Sequence, residues 1–140
     1  MRRSFNQGLL FAALAAISAS ACGSETPQGP TGPSAPIAVV ETFTGTLTIN
    51  GAITFPFNAA QAGSTNASIK ALAPTAGAVI GIALGTWSGT TCSIVLANDI
   101  ASTGSVVTGA VQSAGSLCAR VYDVGRLEAP TEFTIEVSHF

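Results

Sequence analysis

The sequence TEFTIEVS at residues 131–138 is the clearest strand pattern in this chain. Phe133, Ile135 and Val137 alternate there with polar residues. A period of two places successive side chains on opposite faces of an extended backbone. The segment therefore predicts a β-strand with one buried face and one solvent-facing face.

Further segments of the same kind extend upstream and predict an all-β chain. They are residues 39–49, 52–58, 67–72, 78–84, 92–97 (closed by Asn98-Asp99), 105–111 and 116–124. Residues 67–72 also fit one helical turn, but Pro74 follows a piece too short for a stable helix. Residues 78–84 are continuously apolar, which is typical of a strand buried on both faces. About eight short strands with regular turn signals predict a single antiparallel β-sandwich.

Asn50-Gly51 separates the strands at residues 42–49 and 52–58 and is a strong signal for a β-hairpin. The first strand alternates threonines with apolar residues, so its outer face is expected to be threonine-rich. Pro56 removes a backbone donor from the return strand. We therefore expect that strand to lie at a sheet edge or to carry a bulge.

Residues 1–21 have the pattern of a secretory signal peptide: Arg2 and Arg3, an apolar run at residues 9–17, then small residues. The run is shorter than the roughly 20 residues of a transmembrane helix. Ala19-Ser20-Ala21-Cys22 resembles the lipobox of bacterial lipoproteins, although that family prefers leucine at the position of Ala19. Lipidation of Cys22 would hold the protein on a membrane of the bacterial cell envelope, facing out of the cytoplasm. The same small residues also suit an ordinary signal peptidase, so cleavage without lipid is the alternative.

Residues 22–37 form a predicted linker, in which prolines recur at every third position from Pro27 to Pro36. This spacing matches the three-residue turn of polyproline II and favours a semi-rigid stalk, with a disordered tether as the alternative. The folded domain is expected to span residues 38–140.

The chain has three cysteines, and setting Cys22 aside leaves Cys92 and Cys118. An even pair in an oxidising compartment predicts a disulfide, and two free thiols are the alternative. Two thiols and one distant histidine make a poor metal-ligand set, so neither a metal nor another cofactor is expected.

The charge of the chain bears on whether it binds nucleic acid. Two of the five basic residues belong to the leader, so the rest of the chain carries three basic and seven acidic residues and a net charge of about −4. No basic patch is present, which argues against nucleic-acid binding.

Residues 115–125 (GSLCARVYDVG) and 133–137 (FTIEV) resemble the last two strands of bacterial pre-peptidase C-terminal type domains. The resemblance implies a β-sandwich of jelly-roll type that serves as an accessory module on secreted proteins. Some members hold calcium with clustered acidic residues. Asp99, Asp123 and Glu128 are scattered here, so no calcium site is predicted.

The sequence contains no pattern typical of an enzyme. His139 is the only histidine and stands next to the terminus, where residues are usually mobile. Glu132 and Glu136 fall on the outer face of one strand, about 13 Å apart, and are expected to be solvated. We therefore predict no catalytic residues.

Two aromatic residues are candidates for ligand binding. Trp87 lies in the polar segment GTWSGTT at residues 85–91, where its ring could stack on a sugar or cover the Cys92 bridge. Tyr122 is expected on the same strand face as Cys118. Asp123 precedes a glycine-containing loop and is expected to bond its own turn backbone. These features predict an anchored accessory module that binds a glycan or peptide. The alternative is a structural or assembly lipoprotein that binds another envelope protein.

Overall fold

The computed structural model describes residues 35–140, so the predicted leader, Cys22 and all but the last residues of the linker lie outside the described part. The described residues form eight strands and no helix, and none of them forms a helix that could cross a bilayer. The strands are β1 (Val39–Leu47), β2 (Ala52–Ala59), β3 (Gly63–Ala73), β4 (Ile80–Trp87), β5 (Cys92–Ala101), β6 (Val106–Val111), β7 (Gly115–Tyr122) and β8 (Thr131–His139).

The strands make two four-stranded antiparallel sheets. One has the order β1-β8-β3-β6 and the other β2-β7-β4-β5. The chain changes sheet at every connection except the one between β4 and β5. This confirms the predicted β-sandwich, and the strand order is that of a jelly roll.

The core lies between the two sheets and follows the period of two. On β8, Phe133, Ile135 and Val137 are buried, as the alternation predicts, while Glu132 is exposed. The threonines of β1 face solvent, and Leu47 at the end of that strand is fully buried. Strand β3 includes residues 67–72, so the strand interpretation of that segment is confirmed.

Strand β4 is buried on both faces, also as predicted. Ile80, Ile82 and Leu84 enter the core. The opposite face carries small residues, and a side chain at Gly81 would overlap the ring of Tyr122. Small residues on the outer face of β4 therefore let groups from neighbouring strands lie across it.

The predicted hairpin at Asn50-Gly51 is wrong. Strand β1 pairs with β8 and β2 pairs with β7, so this turn joins the two sheets. A type I′ hairpin turn requires positive φ at both central residues. Only Asn50 has it, with φ of 55°. The edge prediction for the return strand is confirmed, because β2 forms one edge of its sheet.

The fifth strand is longer than predicted, since β5 continues through Asn98 and Asp99 to Ala101. It carries two register shifts opposite β4. Leu96 pairs with Leu84 and Ile94 with Gly85, which leaves Val95 as the extra residue of a bulge. The second shift lies between Asn98 and Ala101. The turn residues Asn98 and Asp99 therefore coincide with a bulge and do not end the strand.

Candidate functional site

The structure confirms the predicted disulfide between Cys92 and Cys118. It links β5 to β7, which are separated in the sheet by β4. Gly85 of β4 pairs with Cys118, and a side chain at Gly85 would overlap the backbone of Ser93. The glycine therefore lets β5 approach closely enough for the bridge to form.

Trp87 lies at the end of β4 and not within a loop. It pairs with Cys92 and is half-buried. Paired residues of antiparallel strands share a face, so Trp87 stands beside the disulfide. This position agrees with the alternative in which the indole ring covers the bridge.

Tyr122 links β7 to β5 through its side chain. Its ring lies against Gly81 of β4, and its hydroxyl donates a hydrogen bond to the Asp99 carboxylate. Burial raises the pKa of Tyr122 to about 12, together with the hydrogen bond to Asp99 and the negative charge of that residue. The ring and hydroxyl of Tyr122 therefore contact other strands of the same sheet.

Trp87 and Tyr122 are not brought together. Tyr122 pairs with Gly81, which is six residues along β4 from Trp87. At ~3.3 Å per residue this separates the two aromatic residues by about 20 Å. They do not form one binding surface.

Asp123 has the predicted structural role. Its Oδ1 accepts hydrogen bonds from the backbone N–H groups of Gly125, Arg126 and Leu127, and its Oδ2 accepts one from Asn50. Desolvation acts to raise the pKa of Asp123, but these four donors outweigh it and lower the pKa. One carboxylate thus holds the loop after β7 and the connection between β1 and β2.

His139 is buried, which corrects the expectation of a mobile terminus. Strand β8 runs to His139 because β1 pairs with it along its whole length. The His139 Nε2 lies 2.9 Å from Glu41 Oε1, and its ring stacks obliquely on Phe57. The imidazole therefore packs as part of the sandwich, and its contact with the Glu41 carboxylate joins two strands of one sheet.

The two glutamates of β8 differ in environment. Glu132 is exposed, whereas Glu136 lies 2.8 Å from the Lys70 ammonium and is only partly exposed. Both are therefore surface charges, as expected, and Glu136 also forms an ion pair with Lys70. Within residues 35–140, no three metal-ligating side chains cluster.

An apolar cleft that sequence reasoning missed opens between the sheets along the β5 and β6 edges. Its volume is about 240 Å³, and its apolar lining comes from Leu84, Val95, Leu96, Ala110, Val111 and Leu117. Thr65, Gly85, Thr86 and Gln112 complete the lining, so no charged side chain contributes. The cleft is therefore suited to an uncharged, apolar group.

The rim of the cleft exposes large apolar side chains. On β5, the lining residue Val95 is 68% exposed and Leu96 40%. Beside the lining residue Ala110 of β6, a Cβ at Gly109 would lie 3.1 Å from Leu96 Cδ1 and 3.8 Å from Leu84 Cδ1. The two leucines thus converge on Gly109 and form the floor.

Thr65 of β3 is the buried polar group of this lining. It is 3% exposed, and its hydroxyl oxygen is buried without a hydrogen-bond partner. Buried polar atoms are almost always paired, so an unpaired one calls for an explanation. The oxygen itself is not exposed to the open space, so Thr65 lines the cleft through its other atoms.

No protein-family model matches the sequence, and comparison with curated proteins finds no significant relative.

Proposed function

We propose that this protein is a non-enzymatic binding module of the bacterial cell envelope. A lipid on Cys22 anchors it, residues 22–37 space the domain from the membrane, and the cleft between β5 and β6 binds an apolar segment of an extracytoplasmic polypeptide. The observation that carries the binding proposal is the charge-free apolar cleft with exposed side chains on its rim.

Exposed apolar side chains beside a cleft favour binding because their contact with a partner removes them from water. Complete burial of one Val, Leu or Ile side chain contributes about 1.5–3 kcal/mol. Val95 and Leu96 are 68% and 40% exposed, so together they offer about 2 kcal/mol before association entropy is subtracted. Association costs more than this, so most of the affinity has to come from the group that enters the cleft.

The two bulges of β5 favour insertion of side chains over extension of the sheet. Between them, only Leu96, Ala97 and Asn98 pair regularly with β4. Bulges at an edge strand twist its backbone groups away from a regular ladder and so discourage strand addition. The partner is therefore an apolar segment whose side chains enter the cleft.

A polypeptide fits the cleft better than a glycan. Sugar sites commonly offer an aromatic face with several hydrogen-bonding groups, but the lining has no aromatic residue and only three polar side chains. The neutral lining also matches an uncharged segment, whereas the chain as a whole is acidic. The disulfide supports export, because such bridges persist in oxidising compartments.

Binding is tested with dye-labelled, uncharged peptides that carry Leu, Phe, Tyr or Trp in a Gly/Ser background, measured by fluorescence anisotropy. We expect saturable binding that Val95→Asp weakens at least tenfold, since the change places a charge on the rim. Val40→Asp is the matched control, because Val40 is 59% exposed on β1, at the opposite edge. Equal losses in both variants, or retention on peptidoglycan with no peptide binding, would contradict the proposal.

The anchor is tested by intact-mass analysis of the membrane fraction from a host that processes lipoproteins. We expect loss of residues 1–21 and an added diacylglyceryl group on Cys22. A soluble product without lipid would refute the anchor and leave the export proposal intact.

A further inference from the structure

We propose that the cleft between β5 and β6 is a pocket for an aromatic ring with one polar group, as in a tyrosine side chain, and that the Thr65 hydroxyl hydrogen-bonds to that group. This inference rests on the proposed function and names the side chain that the cleft selects.

The size of the cleft sets the class of ligand. An apolar cavity of about 150 Å³ suffices to bind benzene. The cleft offers about 240 Å³, which accommodates a six-membered ring together with a substituent. Its floor of Leu84 and Leu96 and its wall of Leu117 present aliphatic side chains against which a ring can pack.

The need for a polar group on the bound ring follows from Thr65 of β3. A buried hydroxyl without a partner destabilises the free protein relative to one whose hydrogen bond is satisfied. The Thr65 hydroxyl is not exposed in the free protein, but rotation of this side chain about its Cα–Cβ bond would bring it to the lining of the cleft, where a phenol hydroxyl supplies the missing partner. A ring without a polar group would leave the Thr65 hydroxyl unpaired.

Two small molecules that differ by one hydroxyl group test this directly. We expect 4-methylphenol and toluene to shift the methyl NMR signals of Leu84 and Leu117 in the purified protein. Removal of a phenol from water is less favourable than removal of toluene, so a purely apolar cleft would prefer toluene. A cleft in which Thr65 acts as partner binds 4-methylphenol at least as tightly.

The variant Thr65→Val keeps the shape of the side chain and removes its hydroxyl. We expect it to lower the ratio of 4-methylphenol affinity to toluene affinity by about three- to tenfold, the scale of one hydrogen bond. It should also raise the thermal midpoint of the free protein. The matched control is Thr86→Val, since Thr86 also lines the cleft but is exposed. It should leave the ratio unchanged.

Peptides link the result to the proposed function. A tyrosine peptide should bind more tightly than its phenylalanine counterpart, and Thr65→Val should abolish the difference. An unchanged ligand ratio in Thr65→Val, or no shift at the two leucines, overturns the inference. Peptide binding that Val95→Asp blocks, but that shows no tyrosine preference, overturns this inference and leaves the proposed function. Occupation of the cleft by 4-methylphenol without any peptide binding overturns the proposed function and leaves the ring pocket.

Discussion

The ionised Asp123 carboxylate should stabilise the fold near neutral pH and lose that effect in acid. Its two oxygens accept four backbone N–H groups, at 2.8 Å from Asn50, 2.9 Å from Gly125 and Arg126, and 3.2 Å from Leu127. Hydrogen bonds to a charged acceptor are each worth about 1.5–3 kcal/mol, but these donors are near solvent and find water when the acceptor is removed. We therefore expect Asp123→Ala to cost about 2 kcal/mol in total, the upper range for loss of a capping residue.

The same contacts predict a pH dependence. Because the folded-state pKa of Asp123 is lowered, its contribution is complete above the unfolded value of about 3.9 and is lost as pH falls through the folded pKa. Asp123→Asn, which keeps one acceptor oxygen but cannot ionise, should cost about 1 kcal/mol at pH 7. The difference between wild type and this variant should shrink below about pH 4.

Urea unfolding at several pH values between about 7 and 2.5 measures this difference. Glu128→Gln is the matched control, because Glu128 is an exposed carboxylate of the same loop. It should leave the free energy of unfolding within about 0.5 kcal/mol at every pH. A difference between wild type and Asp123→Asn that stays constant or grows toward low pH would refute the reasoning.

Three further outcomes follow from the outer face of β4. Cys92→Ser should lower the free energy of unfolding by about 3 kcal/mol, as expected for a bridge that closes a loop of 26 residues. An unchanged free energy of unfolding in urea would contradict this. Gly81→Ala should lower the free energy of unfolding by about 1–3 kcal/mol, because the new methyl group meets the ring of Tyr122. Gly77→Ala should be nearly neutral, since no atom lies within 4 Å of the new group. Equal effects of the two changes would be inconsistent with the position of the ring. Reduction of the disulfide should shift the emission of Trp87, the only tryptophan, and an unchanged spectrum would place that ring away from the bridge.

The period of two made most of the strands predictable. Alternation at Phe133, Ile135 and Val137 identified β8 and its buried face, since burial on one side is a local consequence of the pleat. The hydrogen bonds of Asp123 to its own loop were also predictable, because they depend on residue type and immediate neighbours. The disulfide was predictable for another reason, since only one pair of cysteines remains once Cys22 is set aside.

Features that depend on which strands become neighbours were not predictable. Asn50-Gly51 has the composition of a hairpin turn, but the partners of β1 and β2 lie far along the chain in β8 and β7. His139 is buried for the same reason, because β1 pairs with the end of β8.

The cleft was missed because its residues resemble core residues. Val95 and Leu96 belong to an apolar run of the kind that is normally buried. Their exposure results from the position of β5 at a sheet edge and from the bulge at Val95. Thr65 has no sequence signal at all, since a threonine on a strand usually faces solvent and its burial is set by the facing sheet.

The central claim is that the cleft between β5 and β6 binds an aromatic side chain of a partner polypeptide. The most direct measurement is of intermolecular nuclear Overhauser effects between the ring protons of a bound tyrosine peptide and the protein. We predict contacts to the methyl groups of Leu84, Leu96 and Leu117, which line the cleft. Contacts confined to Trp87 or to the threonine face of β1 would contradict the claim.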